Sequence, residues 1–76
     1  MAFFNRAFLL PGCILEMHTA ESEEIHYILE GEGLFMVGDE STSCCAGDAI
    51  HIPAGVSHGL INNTGSPITY LVLGPM

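Results

Sequence analysis

The apolar residues of this 76-residue chain fall in short runs broken by turn-forming residues. Phe3–Leu9, Cys13–His18, Ile25–Leu29, Leu34–Val37, Ala49–Ile52, Gly59–Asn62 and Ile68–Leu73 are rich in Ile, Leu, Val, Phe and Tyr. Between them lie Pro11-Gly12, Gly31-Glu32-Gly33, Gly38-Asp39, Ala46-Gly47-Asp48, Pro53-Ala54-Gly55 and the stretch from Asn62 to Pro67. Short runs at this spacing, bounded by Gly, Pro, Asn and Asp, read as β-strands. No segment holds the i, i+3, i+4, i+7 apolar spacing of an amphipathic helix without a Gly or Pro interrupting it. The pattern predicts an all-β chain folded as one small antiparallel barrel. With no linker, repeat or low-complexity tract, residues 1–76 read as a single domain.

Composition adds constraints. The chain has a net charge of −8, and its single cationic side chain is Arg6. Nucleic-acid binding needs clustered Lys and Arg to meet phosphates, so that function class is excluded. An anionic membrane surface is disfavoured on the same ground, and no apolar stretch approaches the ~18 residues of a membrane-spanning helix. The opening MAFFNRAFLLPG lacks a basic n-region and an A-x-A cleavage site, so it reads as structure. Cys13, Cys44 and Cys45 do not form a disulfide framework, and free thiols point to a reducing, cytoplasmic setting. Buried structural Cys is the default for all three, although alternation allows only one of Cys44 and Cys45 to face inward. Hydrophobic residues make up 49% of the chain and charged ones 13%, against about 25% charged in a typical soluble domain. The surplus apolar surface predicts a homodimer, built through sheet packing that uses Phe3–Leu9.

The chemical inventory is four His and nine acids. One cluster runs from His18 through Glu21, Glu23 and Glu24 to His26; the other runs from Gly47 to Asn62 and contains His58. Glu24 and His26 are two residues apart at the start of a strand, so both point to one face while Ile25 and Tyr27 take the other. Were His18 and His58 to approach from neighbouring strands, the set would be the two-His, one-carboxylate group favoured by divalent first-row metals. Spacing alone leaves a solvated loop as the competing reading. Glu21 and Glu23 read as solvated, and His51, between Ile50 and Ile52, as a packing or interface residue. Met17 and Met36 read as pocket lining or gap filling, and Phe3, Phe4, Phe8, Phe35, Tyr27 and Tyr70 as core or interface.

Gly47, Pro53, Gly55, His58 and Asn62 together resemble the second motif of the cupin family, G-x5-P-x-G-x2-H-x3-N, at every fixed position. The first motif, G-x5-H-x-H-x3–4-E-x6-G, is matched by Gly12, His18, Glu24 and Gly31, but Ala20 stands where the second His is expected. The resemblance implies a jelly-roll β-barrel with one divalent metal (Fe, Mn, Ni or Zn) at its mouth and a small-molecule ligand beside it. It carries the ligand role to His18, Glu24 and His58. His26 is the residue expected to compensate for Ala20, as a fourth metal ligand or as a catalytic acid/base. The family hosts dioxygenases, isomerases and plain binding modules, so a metal-dependent enzyme and a metal-free sensor with a degenerate site both follow from it.

Overall fold

The computed structural model describes residues 3–75. Eight strands follow one another: β1 (Phe3–Leu9), β2 (Ile14–His18), β3 (Glu24–Glu30), β4 (Glu32–Val37), β5 (Glu40–Cys45), β6 (Ala49–Ile52), β7 (His58–Ile61) and β8 (Ile68–Gly74). They form two four-stranded antiparallel sheets, ordered β1-β8-β3-β6 and β2-β7-β4-β5. The all-β class holds. The expected barrel is open, however: two separately hydrogen-bonded sheets enclose the core. Among the described residues no helix is long and apolar enough to cross a membrane.

Alternation decides which residues enter the space between the sheets. On β3, His26 and Ile28 are buried while Tyr27 and Leu29 are exposed. The core gathers Ile28, Phe35, Ile52, Leu60 and Ile68, with Leu9, Cys44 and Tyr70 at its margins. Burying a side chain such as Phe35 stabilises the fold by about 1.5–3 kcal/mol. Cys44 faces this core and Cys45 faces out, as alternation requires, but Cys13 is also exposed, so two of the three thiols are not buried. The residue preceding Ile14 lies on an open turn rather than in the strand predicted from Cys13.

The pattern of apolar runs missed β5, whose sequence Glu-Ser-Thr-Ser-Cys-Cys has no hydrophobic alternation. It is made a strand by its neighbour. A two-residue turn, Gly38-Asp39, folds the chain back so that Val37 pairs with Glu40 and Phe35 with Thr42. Gly38 has a φ of 58°, as the first central position of a type II′ hairpin needs.

Two contacts bring the motif loops together. The Gly55 amide donates to the Ala20 carbonyl at 2.9 Å, tying the Pro53-Ala54-Gly55 turn to the β2–β3 connection. Asn62 is almost fully buried; its Nδ2 donates to the carbonyls of Leu9 (2.9 Å) and Ser66 (2.8 Å). Its Oδ1 accepts from the Thr64 amide (3.0 Å) and hydroxyl (2.8 Å). The Asn that closes the second motif is therefore a structural knot joining β1, β7 and the loop into β8. Replacing it with Leu removes the Asn62 partner of the Leu9 carbonyl and of the Thr64 amide, while the Thr64 hydroxyl still reaches the Ser66 carbonyl at 3.1 Å. Urea unfolding of Asn62→Leu should show a loss on the order of 2–4 kcal/mol, with little change in m.

Candidate metal centre

The two sheets contribute opposite halves of one polar cluster. Glu24 and His26 point inward from β3, and His58 opens β7 in the facing sheet. His18, at the end of β2, is the cross-strand partner of His58, and their rings lie 4.3 Å apart, tilted by 54°. Ligand-type atoms of Glu24, His26 and His58 all lie within 4.8 Å of one another. The structure thus brings three of the four expected residues into one group and puts His18 beside it, more exposed, at the cavity mouth. His51 stands apart on β6, bonded to Glu23 at 2.8 Å on the surface, so Glu23 is paired rather than simply solvated.

The hydrogen-bond partners fix the imidazole tautomers. His58 Nδ1 lies 3.1 Å from the Val56 carbonyl and His18 Nδ1 lies 2.9 Å from the Glu16 carbonyl. A carbonyl only accepts, so both Nδ1 atoms carry the proton and both Nε2 atoms present a lone pair. His26 Nε2 lies 3.0 Å from Glu24 Oε1 and donates to it, leaving the buried Nδ1 without a partner. His58 Nε2 lies 3.5 Å from the same carboxylate oxygen, is fully buried and makes no hydrogen bond.

A lone pair buried against a carboxylate oxygen is an arrangement that a cation relieves. The spacings agree. Two ligands at about 2.1 Å from one metal are separated by about 3.0 Å at a right angle and about 3.4 Å at the tetrahedral angle. The observed 3.0 and 3.5 Å are edges of that size, and ligation through His26 Nε2 would require its proton to pass to the unpartnered Nδ1. The carbonyl-anchored Nδ1 protons of His18 and His58 are the outer contacts that orient metal-binding imidazoles. The donor set therefore fits a divalent first-row metal.

His26 is enclosed on several sides. Tyr70 stacks on it at 5.7 Å and 15°, while Phe35 and His58 meet it edge-on at 5.3 and 5.4 Å. Burial pushes its pKa below the usual 6.5, a shift that Glu24 partly opposes. Outside the cluster, a cavity of about 400 Å³ opens along Phe3, Asn5, Ala7, Leu15, Tyr70 and Val72. The lining includes neither Met17 nor Met36, the methionines read from sequence as pocket lining or gap filling. Asn5 and Val72 were not singled out from sequence. For Val72 the signal was present in the alternation, two residues from Tyr70, whereas the β1 sequence, with apolar residues on both faces, gave none for Asn5. Burial also raises the Tyr70 pKa, which keeps its hydroxyl a neutral donor near the cavity.

Residues 6–74 match the cupin domain. The chain belongs to the cupin family. It is 35% identical over 71 residues to an oxalate-binding protein of Thermotoga maritima, a match covering 92% of this chain and 59% of that one. A predicted oxalate decarboxylase of Thermotoga maritima superposes with a TM-score of 0.85 at 36% identity, covering 91% of this chain and 61% of that structure. A shorter match, 44% identical over 48 residues, links 57% of this chain with 28% of the acireductone dioxygenase of Yarrowia lipolytica. The chain thus spans less than two thirds of the length of these relatives.

The buried His26 gives a sign-definite pH effect on metal-free protein. Its folded pKa lies below 6.5, so the unfolded chain takes up the proton first as pH falls. The contribution is present above the unfolded pKa and is lost as pH drops towards the folded one. Denaturant titrations in EDTA should show stability falling below about pH 6.5, and His26→Phe should flatten that slope.

Proposed function

We propose that this cupin holds one divalent first-row metal through Glu24, His26 and His58, with His18 flanking it, and uses it to bind a small oxygen-donor ligand. The observation that carries the reading is the unpartnered, fully buried Nε2 of His58 facing the Glu24 carboxylate. His26 takes the place of the imidazole missing at Ala20. Its burial favours the neutral ring, which suits a ligand better than a general acid at neutral pH.

The cavity supports a particular ligand class. Its polar groups are Asn5, His18, Glu24, His26 and Tyr70, and it contains no Lys or Arg. A carboxylate or enediolate entering it meets the Glu24 charge without any compensating cation from the protein. A bound divalent metal would offset that charge, and Asn5 and Tyr70 line the cavity as neutral polar groups. A bound divalent metal would supply Lewis acidity to a coordinated oxygen. The names of two relatives, an oxalate-binding protein and acireductone dioxygenases, agree with small oxygen-rich ligands. Apolar walls from Phe3, Ala7, Leu15 and Val72 and a volume of about 400 Å³ suit a small molecule.

Elemental analysis of untagged protein and calorimetric titration with Mn²⁺ or Zn²⁺ test this reading. About one metal per chain is expected, and Glu24→Gln or His58→Ala should weaken it by roughly 10-fold or more. Metal at 100 times its Kd should raise stability by about 2.7 kcal/mol. Oxalate should then bind the metal-loaded protein and not the EDTA-treated protein. Oxalate binding that survives EDTA unchanged would instead establish a metal-free binding module.

A further inference from the structure

Formal charge is distributed unevenly about the cavity. Glu24 is its one acidic lining residue, and no Lys or Arg lines it. Strand alternation excludes Arg6, the chain's only cation. Its neighbours Asn5 and Ala7 turn into the cavity, so Arg6 turns outward with Phe4 and Phe8, which are 57% and 60% exposed. There its guanidinium lies 5.1 Å from the Phe8 ring centroid, a cation–π contact on the far side of the sheet. The rest of the chain, with a net charge of −8, supplies no positive potential in its place.

Resting on the metal site proposed above, we propose that the cavity selects singly charged, bidentate oxygen ligands over doubly charged ones of the same shape, and that Asn5 is the position that sets this preference. α-Keto and α-hydroxy carboxylates are ligands of the favoured class. A divalent ion held by the Glu24 carboxylate and neutral imidazoles leaves a single positive charge in the site. A monoanion neutralises that charge. A dianion leaves an uncompensated negative charge close to Glu24, and such repulsion stays large at the effective dielectric of about 20 found near a protein surface.

The register shows why Asn5 is the deciding position. Asn5 pairs with Val72, and Val72 with His26, so Asn5 lies in one cross-strand row with a residue of the metal group. Two strand spacings, about 9.6 Å, separate their backbones. β1 is an edge strand and Asn5 is exposed on it, at the rim of the cavity. A Lys at this position would keep its ammonium hydrated while facing a ligand on the metal. The chain places an amide there instead, which offers a donor and an acceptor but no charge. Tyr70, one step further along the inner face of β8, is likewise neutral, since burial raises the pKa of its hydroxyl.

Oxalate and oxamate test the proposal, because they are nearly isosteric and differ by one charge at neutral pH. Calorimetry on Mn²⁺-loaded protein should show a preference for oxalate over oxamate smaller by roughly 10-fold than the preference of free Mn²⁺ for the same pair. Asn5→Lys should restore roughly 10-fold of that preference, whereas Phe8→Lys, which adds the same charge on the outer face, should shift it by less than about 3-fold. The comparison on unaltered protein stands whether or not either variant folds. A protein that takes up Mn²⁺, binds both ligands only when loaded and prefers oxalate as strongly as free Mn²⁺ does would overturn the charge selection and leave the metal site intact. A protein that takes up no Mn²⁺, or binds both ligands equally in EDTA, would overturn the metal site and the selection with it.

Discussion

The close approach of one carboxylate oxygen to two imidazoles is the constraint around which this small protein is organised. Glu24 Oε1 lies 3.0 Å from His26 Nε2 and 3.5 Å from His58 Nε2, and the two histidines belong to opposite sheets. A polar contact across the gap is possible only if the sheets hold a fixed separation and register. Phe35, Ile28 and Leu60 fill the space behind it, and Phe35 packs its edge against the His26 ring. The Gly55–Ala20 and Asn62 bonds fasten the loops that carry the motif residues. Several fixed residues of the family pattern thus shape the site without entering it.

The interior cost of this arrangement is concentrated in a few atoms. His58 Nε2 and His26 Nδ1 are buried without partners, each a group that would ordinarily cost about 1–3 kcal/mol. In a chain of this size such a cost is large against the small net stability of folded domains. A site-bound cation converts the His58 lone pair from a liability into a bond, which ties folding stability to ligation. The acidic, cation-poor character of the chain acts in the same direction, since a divalent ion finds no competing Lys or Arg in the cavity.

Much of this was legible in the sequence, and the reasons are physical. Turn residues punctuated seven of the eight strands, and period-two alternation put His26 on the face of Glu24. β5 escaped because its strand character comes from pairing with β4, not from its own side chains. Phe4 and Phe8 were legible as apolar but not as outward-facing, because a strand with hydrophobic residues on both faces has no polar phase to orient it. Ala20 left the first motif without its second imidazole. That His26 comes within hydrogen-bonding distance of Glu24 Oε1 depends on side-chain conformation, which spacing along a strand does not specify.

Nitrogen NMR of ¹⁵N-labelled histidine rings, recorded with and without Zn²⁺, tests the central claim most directly. The account predicts that metal-free His58 is the Nδ1-protonated tautomer and that saturating Zn²⁺ shifts its Nε2 resonance to a metal-bound position, with a matching change at His26. A His58 ring protonated on Nε2, or ring nitrogens at His58 and His26 that do not respond to Zn²⁺, would contradict it.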